Sequence, residues 1–213
     1  FEGREGDTHD VLVWEDVSSG SDPWVLAALG RDDIPDTLRV TDYAGIDFDA
    51  TGETVFIGLR DWVVSETNIT EVNDAESDEG SEEEEVQPAD VQVWHWDDDQ
   101  ILRSQEYRAE QISRQTFAAA WHVKEDDLVI LGEDFEEEVE IVANGSWGIV
   151  PDYTPYRFQR RFGGGAADWY RVDLQTGERT LLAGEAQFGV EAGAGDSPIL
   201  VYGDDRWSAI DLN

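Results

Sequence analysis

The chain of 213 residues contains no cysteine and no methionine. Without cysteine, no disulfide or thiolate metal site can form, and the compartment stays open between cytoplasmic and periplasmic or secreted. Without methionine, the product of a start codon is not represented, and the chain begins Phe1-Glu2-Gly3. We therefore expect either that a leader was removed or, in preference, that this is part of a longer protein.

Basic residues are scarce, with 14 Lys and Arg against 50 Asp and Glu, a net charge of −36, and Lys124 as the only lysine. Nucleic-acid binding needs a basic face, and the only basic cluster is Arg157, Arg160 and Arg161. The same charge disfavours anionic membranes, and no apolar run approaches the roughly 20 residues of a transmembrane helix. We expect no nucleic-acid partner and no membrane partner.

So large a negative charge destabilises a compact state unless counter-ions screen it. Carboxylates are spread along nearly every predicted loop, and arginine replaces lysine almost throughout. This composition is typical of a protein from a high-salt organism. The alternatives are specific cation binding and mimicry of another acidic molecule.

The chain also lacks the patterns of common catalytic and metal sites. It has no Gly-x-Ser-x-Gly pentapeptide, and His9, His95 and His122 lack metal-ligand spacing. Acidic groups at 97–99, 126–127 and 204–205 could serve glycosidic acid–base chemistry or, at 97–99, bind Ca²⁺, but a chain with 50 acids produces such groups by chance. We predict no catalytic residue, no cofactor and no metal site.

What the sequence does contain is a repeated short strand pattern. It occurs at residues 10–14 (DVLVW), 90–94 (DVQVW) and, more loosely, 168–174 (DWYRVDL). Two segments read as hairpins with a turn at glycine, namely 46–57 (IDFDATGETVFI) and 139–150 (VEIVANGSWGIV). A weaker hairpin at 191–202 leads into another Trp-containing strand at 206–212.

A hairpin followed by a Trp-containing strand is thus used about three times, as in the blades of a β-propeller. We predict an all-β fold over residues 1–213, a single domain forming a partial β-propeller of about three four-stranded antiparallel blades. The alternative is an all-β sandwich. Between Gly52 and Gly145 the spacing exceeds one blade. We expect that an acidic, mobile insertion at residues 66–89, between two strands, accounts for part of the excess.

Two further elements are predicted outside these repeats. Residues 116–123 and 128–131 favour a strand pair, and residues 101–113 are the best candidate for a short helix.

The only concentration of aromatic and basic residues lies between 153 and 162. As an inter-strand loop it would pack its rings on the sheet. As a contact surface it would offer arginine donors to a partner domain or an acidic peptide terminus. The candidate partner contacts are Tyr153, Tyr156, Arg157, Arg160 and Arg161.

Three segments carry a family resemblance: residues 90–96 (DVQVWHW), the hairpin 48–58 running into 59–62 (LRDW), and residues 169–179 (WYRVDLQTGER). They resemble the propeller portion of bacterial prolyl-oligopeptidase-type serine peptidases. Similar hairpins occur in translocation-associated periplasmic propellers. The resemblance implies a propeller that covers a separate α/β-hydrolase domain and restricts access to small peptides. No residue here matches the hydrolase domain, so no catalytic residue is carried over.

We therefore expect a non-catalytic propeller segment that screens peptide access to a hydrolase domain of the same parent protein. Its partners would be that domain and peptides, with self-association through open sheet edges. The alternative is a stand-alone propeller-like module that binds protein or peptide. An acid-pair glycosidase ranks third.

Overall fold

Short β-strands are the main regular element in the part of the chain that the structure describes. This computed structural model describes residues 4–64, 102–134, 137–142, 146–160, 165–186, 188–191, 198–203 and 205–211. Its helices are α1 (Leu102–Ser113), α2 (Arg157–Arg160) and two 3-10 helices at Val17–Ser19 and Thr154–Tyr156. Helix α1 confirms the helix predicted at 101–113.

The strands follow one another closely in sequence. In chain order they are β1 (Arg4–Glu5), β2 (Val11–Val13), β3 (Trp24–Leu26), β4 (Leu38–Thr41), β5 (Asp47–Phe48), β6 (Thr54–Asp61), β7 (Val63–Val64), β8 (Phe117–His122), β9 (Asp127–Ile130), β10 (Glu140–Val142), β11 (Trp147–Asp152), β12 (Ala167–Asp173), β13 (Arg179–Ala186), β14 (Phe188–Glu191), β15 (Ile199–Gly203) and β16 (Arg206–Ile210).

All strand pairs among the described residues are antiparallel, and the sheets follow one another in chain order, although sheet II joins β6 to the distant β8. Sheet I consists of β2 and β3; sheet II has the order β4-β6-β8-β9, with β5 also on β6; sheet III is β10-β11-β12-β13; sheet IV is β14-β15-β16. A further pair joins β1 to β7. The all-β prediction is confirmed.

The predicted hairpin at 46–57 is present as β5 and β6. Asp47 lies opposite Phe56, and Phe48 lies opposite Val55. Gly52 has a φ of 74°, the left-handed conformation that its turn requires. The carboxylate of Asp49 accepts hydrogen bonds from the backbone N–H of Glu53 and of Thr54, which closes the turn.

The other two predicted hairpins are also present, and the last begins at Phe188, three residues before the predicted start at 191. Strand β10 pairs with β11, and β14 pairs with β15, although the turn residues 143–145 and 192–197 lie outside the described residues. In both cases the next strand carries tryptophan and pairs with the hairpin, β12 through Trp169 and β16 through Trp207.

The first repeat differs in one respect. Strand β6 continues to Asp61, so residues 59–61 belong to the hairpin itself and Trp62 follows its end. The tryptophan strand beside this hairpin is instead β8, with Trp121 opposite Val55. It comes from the predicted strand pair at 116–131, which is confirmed as β8 and β9. The acidic stretch 66–89 lies outside the described residues, between two strands, β6 and β8, that are neighbours in sheet II.

Sheet II buries both of its faces. Successive side chains of a strand point to opposite sides, so its strands contribute to two different apolar clusters. On one face, Val55, Ile57, Leu59 and Trp121 pack with Val11, Val13 and Leu26 of sheet I. On the other face, Phe56, Ala118 and Ala120 pack with residues of sheet III, among them Val150 and Val172.

Sheet III repeats this arrangement one step further along the chain. Its second face, including Trp147, Ile149 and Ala186, packs with Ile199 and Val201 of sheet IV. Three apolar clusters therefore join sheets I to IV in series, in the order in which the chain forms them.

Candidate functional site

The predicted contact residues lie at the connection between β11 and β12. Tyr153 precedes the 3-10 helix Thr154–Tyr156, where Pro155 occupies the first turn, and α2 follows directly. We call Tyr153, Tyr156, Arg157, Phe158 and Arg160 the aromatic–basic corner. Arg161, also predicted as a contact, lies outside the described residues.

Tyr156 attaches this corner to sheet III. Its hydroxyl donates to Oδ1 of Asp168 at 2.6 Å, and the same oxygen accepts the backbone N–H of Glu185 at 2.8 Å. The hydrogen bond to the Asp168 carboxylate, which stabilises the protonated phenol, raises the pKa of Tyr156 to about 12. Tyr156 therefore positions the corner.

Arg157 is likewise used within the chain, since its Nη2 lies 3.5 Å from Oδ2 of Asp134. Arg160 is exposed and stacks its guanidinium over the Tyr153 ring, with Cζ 4.0 Å from the ring centroid. Phe158 beside it is 62% exposed. The outward part of the corner is thus a cation–π pair next to an apolar ring.

This outward part can bind a carboxylate next to an apolar group. The stacked Arg160 guanidinium keeps its N–H edges, which suit the two oxygens of a carboxylate. Stacking on Tyr153 restricts the arginine, so less side-chain entropy is lost on binding. Of the predicted contacts in the described chain, Arg160 is exposed, and Tyr153, on which it stacks, is half-buried.

The acidic pair 126–127 has a structural role. Asp126 has a φ of 52° in the β8–β9 turn, accepts Nη1 of Arg31 at 2.6 Å, and accepts the indole N–H of Trp121 at 3.2 Å. Asp205 likewise lies in a turn, with a φ of 58°, while Asp204 and residues 97–99 lie outside the described residues. Within the described ranges no three His, Asp or Glu side chains form a metal-binding group.

His122 is a buried link between sheets II and III. Its Nε2 lies 2.9 Å from the carbonyl oxygen of Leu174, which can only accept, so Nε2 carries the hydrogen. Nδ1 then accepts from the hydroxyl of Thr54 at 3.1 Å and the side-chain amide of Gln175 at 3.2 Å. Both ring nitrogens are thus engaged by groups of the chain itself.

A cavity of about 350 Å³ opens beside β4. It lies near the segment that connects β4 to β5, both of which pair with β6. Val40, Ala44 and Ile57 form part of its apolar wall, and His9 and Asp42 stand at its rim with Nε2 and Oδ1 4.0 Å apart. Sequence reasoning missed this cavity because its walls come from three separate segments and no motif links them.

Comparisons of the chain with protein-family models, with curated proteins and with solved structures found no match. Among the helices of the described residues, none has the length and apolar character needed to cross a membrane.

Proposed function

We propose that this chain is a non-catalytic β-propeller segment of a prolyl-oligopeptidase-like serine peptidase, which shapes and screens the route of peptides to a hydrolase domain. The observation that carries the proposal is the serial stacking of four antiparallel sheets in chain order. A propeller is built from such sheets, each packed face to face on the next.

Two features favour blades over a two-layer sandwich. Sheets II and III each bury both faces, whereas a sheet in a two-layer sandwich buries one. Sheet III also has four strands in simple sequential order, the connectivity of a blade. Sheet II likewise has four strands across its width, with Ala119 and Ala120 of β8 buried on opposite faces.

Both ends of the row carry exposed apolar side chains. Leu12 and Val25 lie opposite each other on sheet I, and Leu200 and Trp207 lie on sheet IV. In the proposed parent protein these surfaces would contact further blades, the hydrolase domain or another copy of the chain. The aromatic–basic corner would meet peptide carboxylates on their way to the active site.

The proposal is tested in the parent enzyme, once the coding sequence on either side identifies a reading frame with Gly-x-Ser-x-Gly. Cleavage of a chromogenic dipeptide and of a long unstructured peptide is compared with and without residues 1–213. Rates are normalised to active sites titrated with a covalent serine inhibitor, which removes misfolded enzyme from the comparison.

We expect the relative kcat/KM for the long peptide to rise about tenfold on deletion, equivalent to ~1.4 kcal/mol of lost discrimination. An unchanged ratio would refute the screening role. A reading frame that ends directly after Asn213 would refute the parentage.

The second candidate is a stand-alone peptide-binding module, favoured by the outward Arg160–Tyr153 pair. Binding of an acidic, aromatic peptide in high salt is compared between the natural chain and the variant Arg160→Gln. Arg114→Gln is the control, because Arg114, directly after α1, is also an exposed arginine. Specific binding requires the first variant to lose affinity and the control to retain it.

A further inference from the structure

The β4 cavity, the cavity of about 350 Å³ beside strand β4, has an apolar floor and a polar rim. The floor is formed by three buried side chains of the apolar cluster between sheets I and II, namely Val11, Val40 and Ile57. The rim carries His9, Asp10 and Asp42. Sites for small molecules have this composition and volumes from about 300 Å³ upward, and an apolar cavity of about 150 Å³ already holds benzene. The β4 cavity is therefore large enough for a small organic molecule.

Hydrogen bonds within the chain hold the rim in place. The backbone N–H of His9 donates to the carbonyl of Val40 at 3.2 Å, and Oγ1 of Thr8 accepts the N–H of Val40 at 3.2 Å. Oδ1 of Asp10 accepts the backbone N–H of Ala28 at 2.8 Å. Because these contacts already fix the segment before β2 against β4, ligand binding requires little further ordering of the backbone.

The charge at the rim favours a cation. Asp10 and Asp42 contribute two carboxylates, and neither lysine nor arginine occurs among the described residues that line the cavity. The side chain of Asp42 is 76% exposed, so its oxygens are open to a ligand, and its Oδ1 lies 4.0 Å from Nε2 of His9. The net charge of −36 attracts cations to the surface in general. A ligand matched to this cavity is therefore positive at one end and apolar at the other.

We propose that the β4 cavity binds a small primary amine, with its apolar body against Val40 and Ile57 and its ammonium group at the rim. A primary ammonium has three N–H donors. The carboxylate of Asp42 and a ring nitrogen of neutral His9 are acceptors for them, and the bond to Asp42 has a charged donor and a charged acceptor, the stronger kind of hydrogen bond. A neutral molecule of the same shape lacks this charge, and an anion is repelled by the rim.

The test is a titration of the isotope-labelled full chain with three ligands of nearly one shape, benzylammonium, benzyl alcohol and benzoate, in about 1 M KCl. The backbone amide resonances of Ala44 and Gly58, which line the cavity, report binding at this place. We expect benzylammonium to shift them with a dissociation constant of about 1 mM, and benzyl alcohol to bind about tenfold more weakly. Benzoate should leave both resonances unchanged.

Two variants with matched controls separate the rim from the apolar wall. Asp42→Asn keeps the size of the side chain but removes its charge, and should weaken benzylammonium binding about tenfold. Asp36→Asn changes an exposed aspartate outside the cavity and should have no effect. Ile46→Ser should weaken benzylammonium and benzyl alcohol alike, by about threefold or more. Leu181→Ser is its control, because Ile46 and Leu181 are 55% and 54% exposed and only Ile46 lines the cavity.

Equal affinity for benzylammonium and benzyl alcohol, or unchanged affinity in Asp42→Asn, would overturn the proposal. Shifts spread over the acidic surface while Ala44 and Gly58 stay constant would also overturn it, because that pattern reports general attraction of cations. The amide spectrum of each variant shows whether it folds, and the comparison of the three ligands on the natural chain decides if one does not. No arm uses a peptide or a hydrolase domain, so failure here leaves the proposed peptidase role untouched.

Discussion

Arg179 and Glu137 form the best-shielded ion pair among the described residues. Their side chains are 13% and 9% exposed, and Nη1 and Nη2 of Arg179 contact the two carboxylate oxygens at 2.9 Å and 2.7 Å. Burial opposes ionisation of Glu137. Hydrogen bonds from Arg179 and from the backbone of Glu133 and Asp134 outweigh it, so the pKa lies below its usual value.

Glu137→Gln leaves Arg179 without its buried countercharge, and we expect a loss of about 2–4 kcal/mol in the free energy of unfolding. Chemical denaturation in high salt measures it. Glu110→Gln removes the exposed partner of Arg114 and should cost less than about 0.5 kcal/mol. Equal effects of the two substitutions would show that burial does not determine how much these ion pairs contribute to the free energy of unfolding.

Asp33 makes stability depend on acidity. Hydrogen bonds from Arg31 at 2.7 Å and 2.5 Å, opposed in part by burial, hold the pKa of Asp33 below 3.8. A carboxyl whose folded pKa is depressed stabilises the fold while it is ionised. That stabilisation is present above the unfolded pKa and is lost as pH falls through the folded pKa.

We therefore expect the gap in unfolding free energy between the natural chain and Asp33→Asn to be constant between about pH 5 and 7. Below about pH 3.8 the gap should shrink. Denaturation across this range, with the salt concentration held constant, measures it. A gap that does not change with pH would contradict the assignment.

Strand β6 is closely packed at Gly58. A Cβ there would lie 2.7 Å from Cβ of Ala44 and 2.7 Å from Oγ1 of Thr116. Glycine is therefore required at this point because the segments on either side approach the strand too closely for a side chain.

Gly58→Ala should destabilise the chain by about 1–3 kcal/mol, the usual cost of overpacking. Gly45→Ala is the control, since its Cβ would meet no atom within 4 Å. Thermal and chemical denaturation of both variants give the comparison. If the two variants are equally stable, Ala44 and Thr116 move without cost.

The elements differ in how readily their sequence predicts them. The hairpin at 46–57 follows from alternation and from the glycine turn, both of which are local. The sequence predicts an inter-strand loop or a contact surface at 153–162. The described part of this segment connects β11 to β12 and contains a 3-10 helix and a short α-helix, attached through Tyr156 to Asp168. That attachment joins β12 to a segment before it, and only the folded sheet brings the two together.

At the scale of the whole molecule, charge should control stability. A net charge of −36 on 213 residues creates repulsion that is screened over about 10 Å in 0.1 M salt and about 3 Å in 1 M salt. We expect the thermal midpoint to rise steadily from low to molar KCl. Scanning calorimetry measures this, and equal midpoints at about 0.1 M and 3 M would contradict adaptation to high salt.

The amino-acid sequence alone determined the acidic character, the β class and the three hairpins, because composition and two-residue alternation act locally. Only the tertiary structure decided that β8 supplies the tryptophan strand beside β6, since the two strands are far apart in the chain. It alone decided that sheets I to IV stack in series. Those outcomes depend on which distant faces exclude water together, and no local pattern records that choice.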